Sequence, residues 1–445
     1  MWISLTNHSG YSILSSTATI EDLVQFAAHE KMPALALTDT CNLFGAIDFY
    51  KECKKKGVKP LIGMEAMIAS TSRFDKKRGP EVFATPCYFI VKNRKGYHNL
   101  CALSSAGYIE GFYYTPRIDK ELIEKHSEGL ICIIGSYTSF LADLALRQDD
   151  TLFYQELDWF KSLFKEDLYL QVERHRMDAK DVVSLGFDKE QWLLQLHNEM
   201  ADKQESLIQK YKEVQKKTGI RLVATNNVQF MQKKDYKAQE ILMNIQSAET
   251  IEILERDASG VVRRRYPNPK RRVLPSAEYY FKTPLEMQDL FKDLPDAIEA
   301  TLDLANSVEM SIDFDTRYYP VFVPEELEGT EYTDAERAKA AEEYLTNLCR
   351  KGIQTRYTAE RLNEVQKVYP GQDPMTVVNE RLNYELSIIT SKGMCDYLLI
   401  VYDFIHWAKN QGIPMGPGRG SGAGSIILYL TGITDIEPLR FHLFF

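Results

Sequence analysis

Ala34 to Thr38 reads ALALT, a short uninterrupted run that ends on the polar pair Asp39-Thr40. A run of this length, apolar on both alternating faces, suits a strand covered above and below, as in a parallel sheet with helices packed over it. The pattern recurs at Leu61 to Ile68, Tyr88 to Val91, Leu130 to Gly135, Leu168 to Val172 and Arg221 to Thr225. Amphipathic segments lie between several of these runs, such as Ile20 to Glu30 with Leu23, Val24 and Ala27 on one face. Strand and helix in alternation predict an α/β fold with a parallel sheet or barrel inside and helices outside.

In such folds the working residues sit at the carboxyl ends of the strands. Those positions hold Thr6 and His8 after an opening strand, Asp39 and Thr40, Glu65, Ser136, Glu173-Arg174-His175, and Asn226, Asn227 and Gln229. The set is polar and convergent. A hydrolytic metal centre needs imidazole and carboxylate ligands, and only His8, Asp39, Glu65 and His175 are counted as good ones. Thr, Ser, Asn and Gln are poor substitutes, so a rim that merely hydrogen-bonds loop backbones stands beside the metal reading.

The 445 residues exceed one ordinary core and predict two domains. The seven cysteines are scattered without a C-x-x-C pair, which points to free thiols in a reducing cytoplasm and away from disulfides or structural zinc. No basic-then-apolar leader opens the sequence and no uncharged apolar run reaches membrane-spanning length, so a cytoplasmic protein is expected. A net charge of −9 does not advertise nucleic-acid binding, but phosphate neutralisation is a property of local patches. Lys51 to Lys59 (KECKKKGVK) reads as the solvated end of a helix, whereas the acid-free Val261 to Arg272 (VVRRRYPNPKRR) suits a loop or a nucleic-acid contact equally. The domain boundary is expected between 255 and 278. Beyond it come a long helical stretch at Pro284 to Met310, an extended Tyr318 to Pro324, and helices at Ala335 to Lys351 and Asn379 to Thr390.

Gly412 to Ser425 reads GIPMGPGRGSGAGS, between an apolar helix (Tyr397 to Lys409) and an apolar run (Ile426 to Thr431). Five glycines between 416 and 424 suit a backbone that adopts positive φ or approaches something closely. Small residues entering a helix can present N–H groups to a phosphate, Arg419 can add a bidentate contact, and Ser421 and Ser425 carry hydroxyls. No Gly-Lys-Ser/Thr follows and no strand precedes, which excludes a Walker A loop and a dinucleotide fingerprint. The residues themselves thus point to a phosphate-binding turn for a nucleotide or a nucleic-acid backbone.

Ile413 to Ser425, with Tyr429 and Gly432-Ile433-Thr434-Asp435 after it, closely resembles the opening of the palm in C-family bacterial replicative DNA polymerases, the DNA polymerase III alpha subunits. Arg381 to Glu385 (RLNYE) and Tyr397 to Trp407 (YLLIVYDFIHW) do so too. The opening resembles the polymerase-and-histidinol-phosphatase (PHP) domain that precedes that palm. The matching stretches are His8-Ser9-Gly10-Tyr11-Ser12, Met32 to Asp39, Asn42-Leu43-Phe44-Gly45, Lys59 to Glu65, Gly111 to Asp119 and Val223 to Asn226. The resemblance implies a PHP-type β/α barrel over residues 1–270, followed by the N-terminal part of an α+β palm over 271–445.

PHP domains with an intact site carry His, His, Asp, His, Glu, His, Cys, Asp and His as metal ligands. By resemblance the matching positions here are Thr6, His8, Ser15, Thr40, Glu65, Pro86, Ser136, Asn227 and Gln229, of which only His8 and Glu65 can ligate. The barrel is therefore expected to have lost its metals and its 3′–5′ exonuclease activity. In the palm, the resemblance assigns Gly418, Arg419, Gly420 and Ser421 to the incoming triphosphate, with Ser425 nearby. It implies two-metal nucleotidyl transfer with Mg2+, adding dNTPs to a primer on a DNA template. The metal-holding aspartates of a P-D-x-D-x-D-F-like motif are expected beyond Phe445, past an apolar, strand-like Leu443-Phe444-Phe445, so no catalytic residue is expected in this chain and the fragment alone should be inactive. The implied partners are primer-template DNA, the sliding clamp, the clamp loader and a proofreading exonuclease subunit. Two other functions are weighed: a PHP-type metal-dependent 3′–5′ exonuclease or phosphoesterase, and a non-catalytic module that docks a separate proofreading exonuclease.

Overall fold

Each of the six apolar runs forms a strand in the computed structural model, which describes residues 1–77, 83–316 and 320–445. They are β1 (Ala34–Leu37), β2 (Lys59–Ala69), β3 (Ala84–Val91), β4 (Leu130–Ile134), β5 (Leu168–Val172) and β6 (Arg221–Ala224), and they neighbour one another in chain order. The sheet is not wholly parallel as expected. β1–β2, β4–β5 and β5–β6 are parallel, but β3 runs against both neighbours. Antiparallel neighbours need no helical crossover, and no helix is described between β2 and β3. A period-2 pattern does not distinguish the two directions.

The opening segment closes the sheet into a barrel. The Ala36 N–H donates to Ser4 O (3.0 Å) and Thr38 N–H to Asn7 O (2.9 Å) on one side, while Val228 N–H donates to Thr6 O (2.9 Å) and His8 N–H to Val228 O (3.0 Å) on the other. Alternation then sorts the side chains. Ile3, Leu5, Ala34, Ala36, Leu61, Tyr88, Ile90, Ile131, Ile133, Tyr169 and Val223 fill the barrel, and Ala300, Leu304 and Ala305 belong to the same buried cluster. Trp2, Leu35, Leu37, Ile62, Phe89, Cys132 and Leu170 join the second cluster, which includes Leu23, Val24 and Ala27 of the helix Ile20–His29. Thr301 ties the two ends of the unit together, its hydroxyl accepting from the Ile3 N–H (2.9 Å).

The molecule divides into Met1–Ile312 and Asp313–Phe445, later than the expected boundary at 270/271. The reason is packing: helices Pro284–Leu290 and Pro295–Ser307 bury Met287, Ala297, Ile298, Ala300 and Leu304 in the barrel's own clusters. They are two helices rather than one long one, because Pro295 starts the second, where its fixed φ and missing N–H are tolerated. The basic segment is not a loop either. Its first part forms β8 (Val262–Pro267), paired antiparallel with β7 (Glu252–Arg256).

In the second unit, Asp334–Arg356, Ala359–Val368, Pro374–Ser391, Cys395–Asn410 and Ile426–Leu430 are helices around a core of Leu345, Cys349, Val378, Leu399 and Ile427. Among its described residues there is no strand, so the expected α+β palm is present only as helices, and Leu443-Phe444-Phe445 is irregular rather than strand-like. Tyr318, in the expected extended piece, lies outside the described residues. Among the described residues no helix is long and apolar enough to cross a membrane.

Candidate functional site

The barrel rim brings most of the expected positions into one hydrogen-bonded network. His8 Nε2 lies 2.8 Å from Asn227 Oδ1, which also accepts from Gln229 Nε2 (3.0 Å). The Asn227 N–H donates to Thr6 Oγ1 (2.9 Å), and Asn227 holds φ +46°, a left-handed conformation Asn tolerates. Glu65 accepts from Thr40 Oγ1 (2.8 Å) on one oxygen and from the buried Tyr88 hydroxyl (2.9 Å) on the other. Asp39 organises the loop after His8 by accepting from Ser9 N–H (2.6 Å), Ser9 Oγ (2.8 Å) and Ser12 Oγ (2.7 Å).

Three expected positions stand apart. The Ser15 carbonyl accepts from Gln239 Nε2, which ties it to the helix Tyr236–Ser247. Pro86 pairs with Met67 on β2 and has no ligating atom in its side chain. Ser136 lies 3.4 Å from Glu173 Oε2. His175 is a satisfied core histidine: Nε2 meets Asn226 O (2.9 Å), Nδ1 meets Gln204 Nε2 (2.8 Å), and the ring stacks on Tyr279 with centroids 4.0 Å apart. Burial, then the nearby Lys282 charge, pushes its pKa down to about 3. Arg174 turns to Glu205 and Asp293.

These residues do not fit the metals of an intact PHP site. A metal ion needs lone pairs converging on one point. Here the Nε2 of His8 faces an amide oxygen and both oxygens of Glu65 hold hydroxyl donors. Among the described residues no group of three or more His, Cys, Asp or Glu side chains gathers to hold an ion. A buried ammonium stands at the same rim, with Lys282 Nζ 3.2 Å from Asn226 Oδ1 and 3.0 Å from Glu278 Oε2, its pKa lowered to about 8 mainly by burial. Glu173 is a rim position outside the set of good ligands that the sequence offers. It is buried with Oε1 unpartnered, and burial pushes its carboxyl up to about 7.

The second site is the glycine turn. Residues 411–421 are exposed, and Gly418 (φ +147°) and Gly420 (φ +61°) adopt backbone that L side chains rarely enter. Gly424 is required by proximity, since a Cβ there would lie 2.1 Å from Phe444 O. Arg419 extends between the two positive-φ glycines, exposed and without a hydrogen-bond or ion-pair partner for its side chain among the described residues.

The turn is held from behind by the fully buried Glu385, whose Oε1 accepts from Ile426 N–H (3.0 Å) and whose Oε2 accepts from Ser425 Oγ (2.7 Å) and Ile427 N–H (3.3 Å). Arg381 Nε bonds Glu385 Oε1 (2.6 Å) while its Nη2 reaches Gly424 O (2.7 Å) and Leu443 O (3.1 Å). Ser425 is therefore spent on the cap, its hydroxyl given to Glu385 and its Oγ accepting from Leu428 N–H (3.3 Å). The helix N–H groups expected to face a phosphate are taken internally, and the exposed turn itself carries the candidate contacts.

Sequence reasoning matched the R-x-x-x-E pair without giving it a task. Its i,i+4 spacing on a helix was the available signal. Asp435 is held by Arg356 (2.7 Å) and Lys409 (3.3 Å), which keep its carboxyl below the ordinary value although partial burial opposes them. Glu437 accepts from Tyr357 Oη (2.5 Å) and from Leu439 and Arg440 N–H. Both late acids are thus engaged in structure.

Residues 4–175 match the family model of the PHP domain, and residues 343–445 match that of the bacterial DNA polymerase III alpha NTPase domain. Over its whole length the chain is 46% identical to a DNA polymerase III subunit alpha of Chlamydia pneumoniae, covering 35% of that protein. The protein of the same name from Borreliella burgdorferi is 35% identical over all of this chain and 33% of its own length. That of Thermus aquaticus is 32% identical over 99% of this chain and 36% of its own. The chain spans about a third of the length of these relatives.

Proposed function

From a chain that carries a PHP domain followed by a bacterial DNA polymerase III alpha NTPase segment, we propose one part of a replicative DNA-directed DNA polymerase, adding dNTPs to a primer 3′ end on a DNA template. In this reading the glycine turn receives the triphosphate of the incoming nucleotide. The observation that carries it is Arg419: a guanidinium unpaired among the described residues, on an exposed turn whose far side is clamped by Glu385 and Arg381. A guanidinium held without a protein partner is ready for a bidentate phosphate contact. Gly418 and Gly420 let the backbone approach, and Ser421 adds an exposed hydroxyl. Mg2+ would neutralise the transferring phosphates when bound, but no residue described above is assigned to hold it. The chain alone is expected not to polymerise.

Arg419→Ala is expected to weaken nucleoside triphosphate binding by about 1.5–3 kcal/mol, the range of hydrogen bonds to charged groups. Isothermal titration of the full-length polymerase measures it, and an unchanged Kd removes Arg419 from this role.

The barrel is read as a structural and docking domain rather than an exonuclease. The hydrogen bonds that occupy His8 and Glu65 support this, because recruiting a metal would break several of them at once. The exonuclease reading requires bound metal and digestion of single-stranded DNA that Glu65→Ala abolishes. Finding both overturns the docking reading.

A further inference from the structure

Among the described residues β7 and β8 pair only with each other. From Glu252 to Arg272 the chain carries seven Lys and Arg residues against three acids, in a protein whose net charge is −9. Arg256, Arg263, Arg264, Arg265, Lys270 and Arg272 are all exposed. Two of these cations have acidic neighbours, Arg263 with Asp257 (2.6 Å) and Arg265 with Glu252 (4.0 Å). Among the described residues Arg264 and Lys270 have no ion-pair partner, although Glu255 stands opposite Arg264 in the register. Four arginines on one small ribbon repel one another, and no packed core requires them there. A polyanion relieves that repulsion by presenting phosphates along the same line.

The base of the ribbon has a different character. A groove of about 810 Å³ opens between β7–β8, the start of the helix Gln191–Thr218 and the helix Tyr236–Ser247. Tyr266, Trp192, Ile241 and Ile251 line it, with Lys189 and Lys237 among its other residues. The Trp192 ring is already approached on one side by the Arg271 guanidinium, 5.1 Å from its centroid. Arg271 itself is committed to Glu190 and Glu240, so it braces the groove. Aromatic rings beside a row of cations suit a strand whose bases are free to stack while its phosphates are neutralised. A duplex has its bases already stacked and would leave the aromatic groove unused.

We propose that the β7–β8 ribbon and the groove at its base bind single-stranded nucleic acid, with phosphates on Arg263, Arg264, Arg265 and Lys270 and bases against Tyr266 and Trp192. The site belongs to the barrel unit and does not rest on the palm reading. Side chains alternate along β8, so Arg264 shares a face with Tyr266, roughly 6.6 Å away, while Arg263 and Arg265 project from the other face and meet the phosphates of a strand that wraps the ribbon.

The test is fluorescence anisotropy of labelled oligo(dT) with the full chain, titrated over a series of salt concentrations. Wild type is expected to bind with strong salt dependence and to show quenched tryptophan emission. Replacing Arg263, Arg264 and Arg265 together with Gln is expected to weaken binding roughly tenfold at low salt and to reduce the salt slope by about 2, at about 0.7 per lost phosphate contact. Tyr266→Ala is expected to weaken binding roughly fivefold or more while leaving the slope in place. Absent wild-type binding, or binding indifferent to the Gln substitutions, overturns the proposal. So does polyglutamate binding as tightly as oligo(dT), which would assign the ribbon to acidic protein. Tighter binding of blunt duplex, insensitive to Tyr266→Ala, would overturn the single-strand assignment.

Discussion

Glu385→Ala is the sharpest perturbation of the second unit. The carboxylate is 0% exposed and uses both oxygens: Oε1 for Arg381 Nε and Ile426 N–H, Oε2 for Ser425 Oγ and Ile427 N–H. Truncation leaves four donors without their acceptor, one of them a guanidinium with 19% of its side chain exposed. Breaking a buried pair by removing one partner costs about 3–5 kcal/mol, and the lost helix cap overlaps with that figure rather than adding to it. For a unit the size of Asp313–Phe445, that corresponds to a transition lowered by roughly 10–20 °C. Glu385→Gln retains one acceptor oxygen and should fall about halfway. Calorimetry reads the transition, and hydrogen exchange across 420–430 reads the turn, whose amides should exchange faster in step with the lost stability. Wild-type exchange there, with a transition shifted by less than about 3 °C, would refute the view that this carboxylate holds the turn.

Other outcomes follow from the same geometry. Glu173 has a folded pKa of about 7 against an ordinary 4.5, so its contribution to stability is present below pH 4.5 and lost as pH rises to 7. The stability of Glu173→Gln relative to wild type should therefore improve by roughly 3 kcal/mol across that window in urea titrations, and a flat difference would discard the assignment. Gly352→Ala would place a Cβ 2.2 Å from Leu430 O and should destabilise the unit by about 1–3 kcal/mol in thermal unfolding. Gly416→Ala, with nothing within 4 Å, serves as its control. Dialysis against a chelator should leave the barrel's unfolding midpoint unmoved, because the rim is held by hydrogen bonds. A midpoint that drops with chelation and returns with a divalent ion would show that a metal holds it.

The strand positions were legible because burial on both faces leaves a plain mark: five residues from Leu168 to Val172 are read from the sequence and found in the fold with the same limits. Direction was not, since β3 carries the same apolar signature whichever way it runs. The domain edge was misplaced because Arg263 to Arg272 looks like a linker in composition, while the residues that decide the matter, Met287, Ala300 and Leu304, reveal their partners only when folded. The rim positions were found through strand ends and resemblance. Their mutual bonding, His8 to Asn227 across 219 residues, was beyond any local pattern. Glu385 was hidden for a similar reason: a carboxylate on an amphipathic helix reads as solvated until its four donors are seen.

The barrel's closing segment also sets an order of events during synthesis. Trp2 Nε1 bonds Ala224 O across 222 residues, and the Ile3 N–H bonds Thr301 across 298. At roughly 5–20 residues per second, about 15–60 s pass between the appearance of Ile3 and of its partner. The Ser4–Ala36 and Asn7–Thr38 contacts can form early, but the edge that Val228 closes waits unpaired until β6 has been made, exposed to misassociation and to chaperones. Residues translated early are thus among the last to settle.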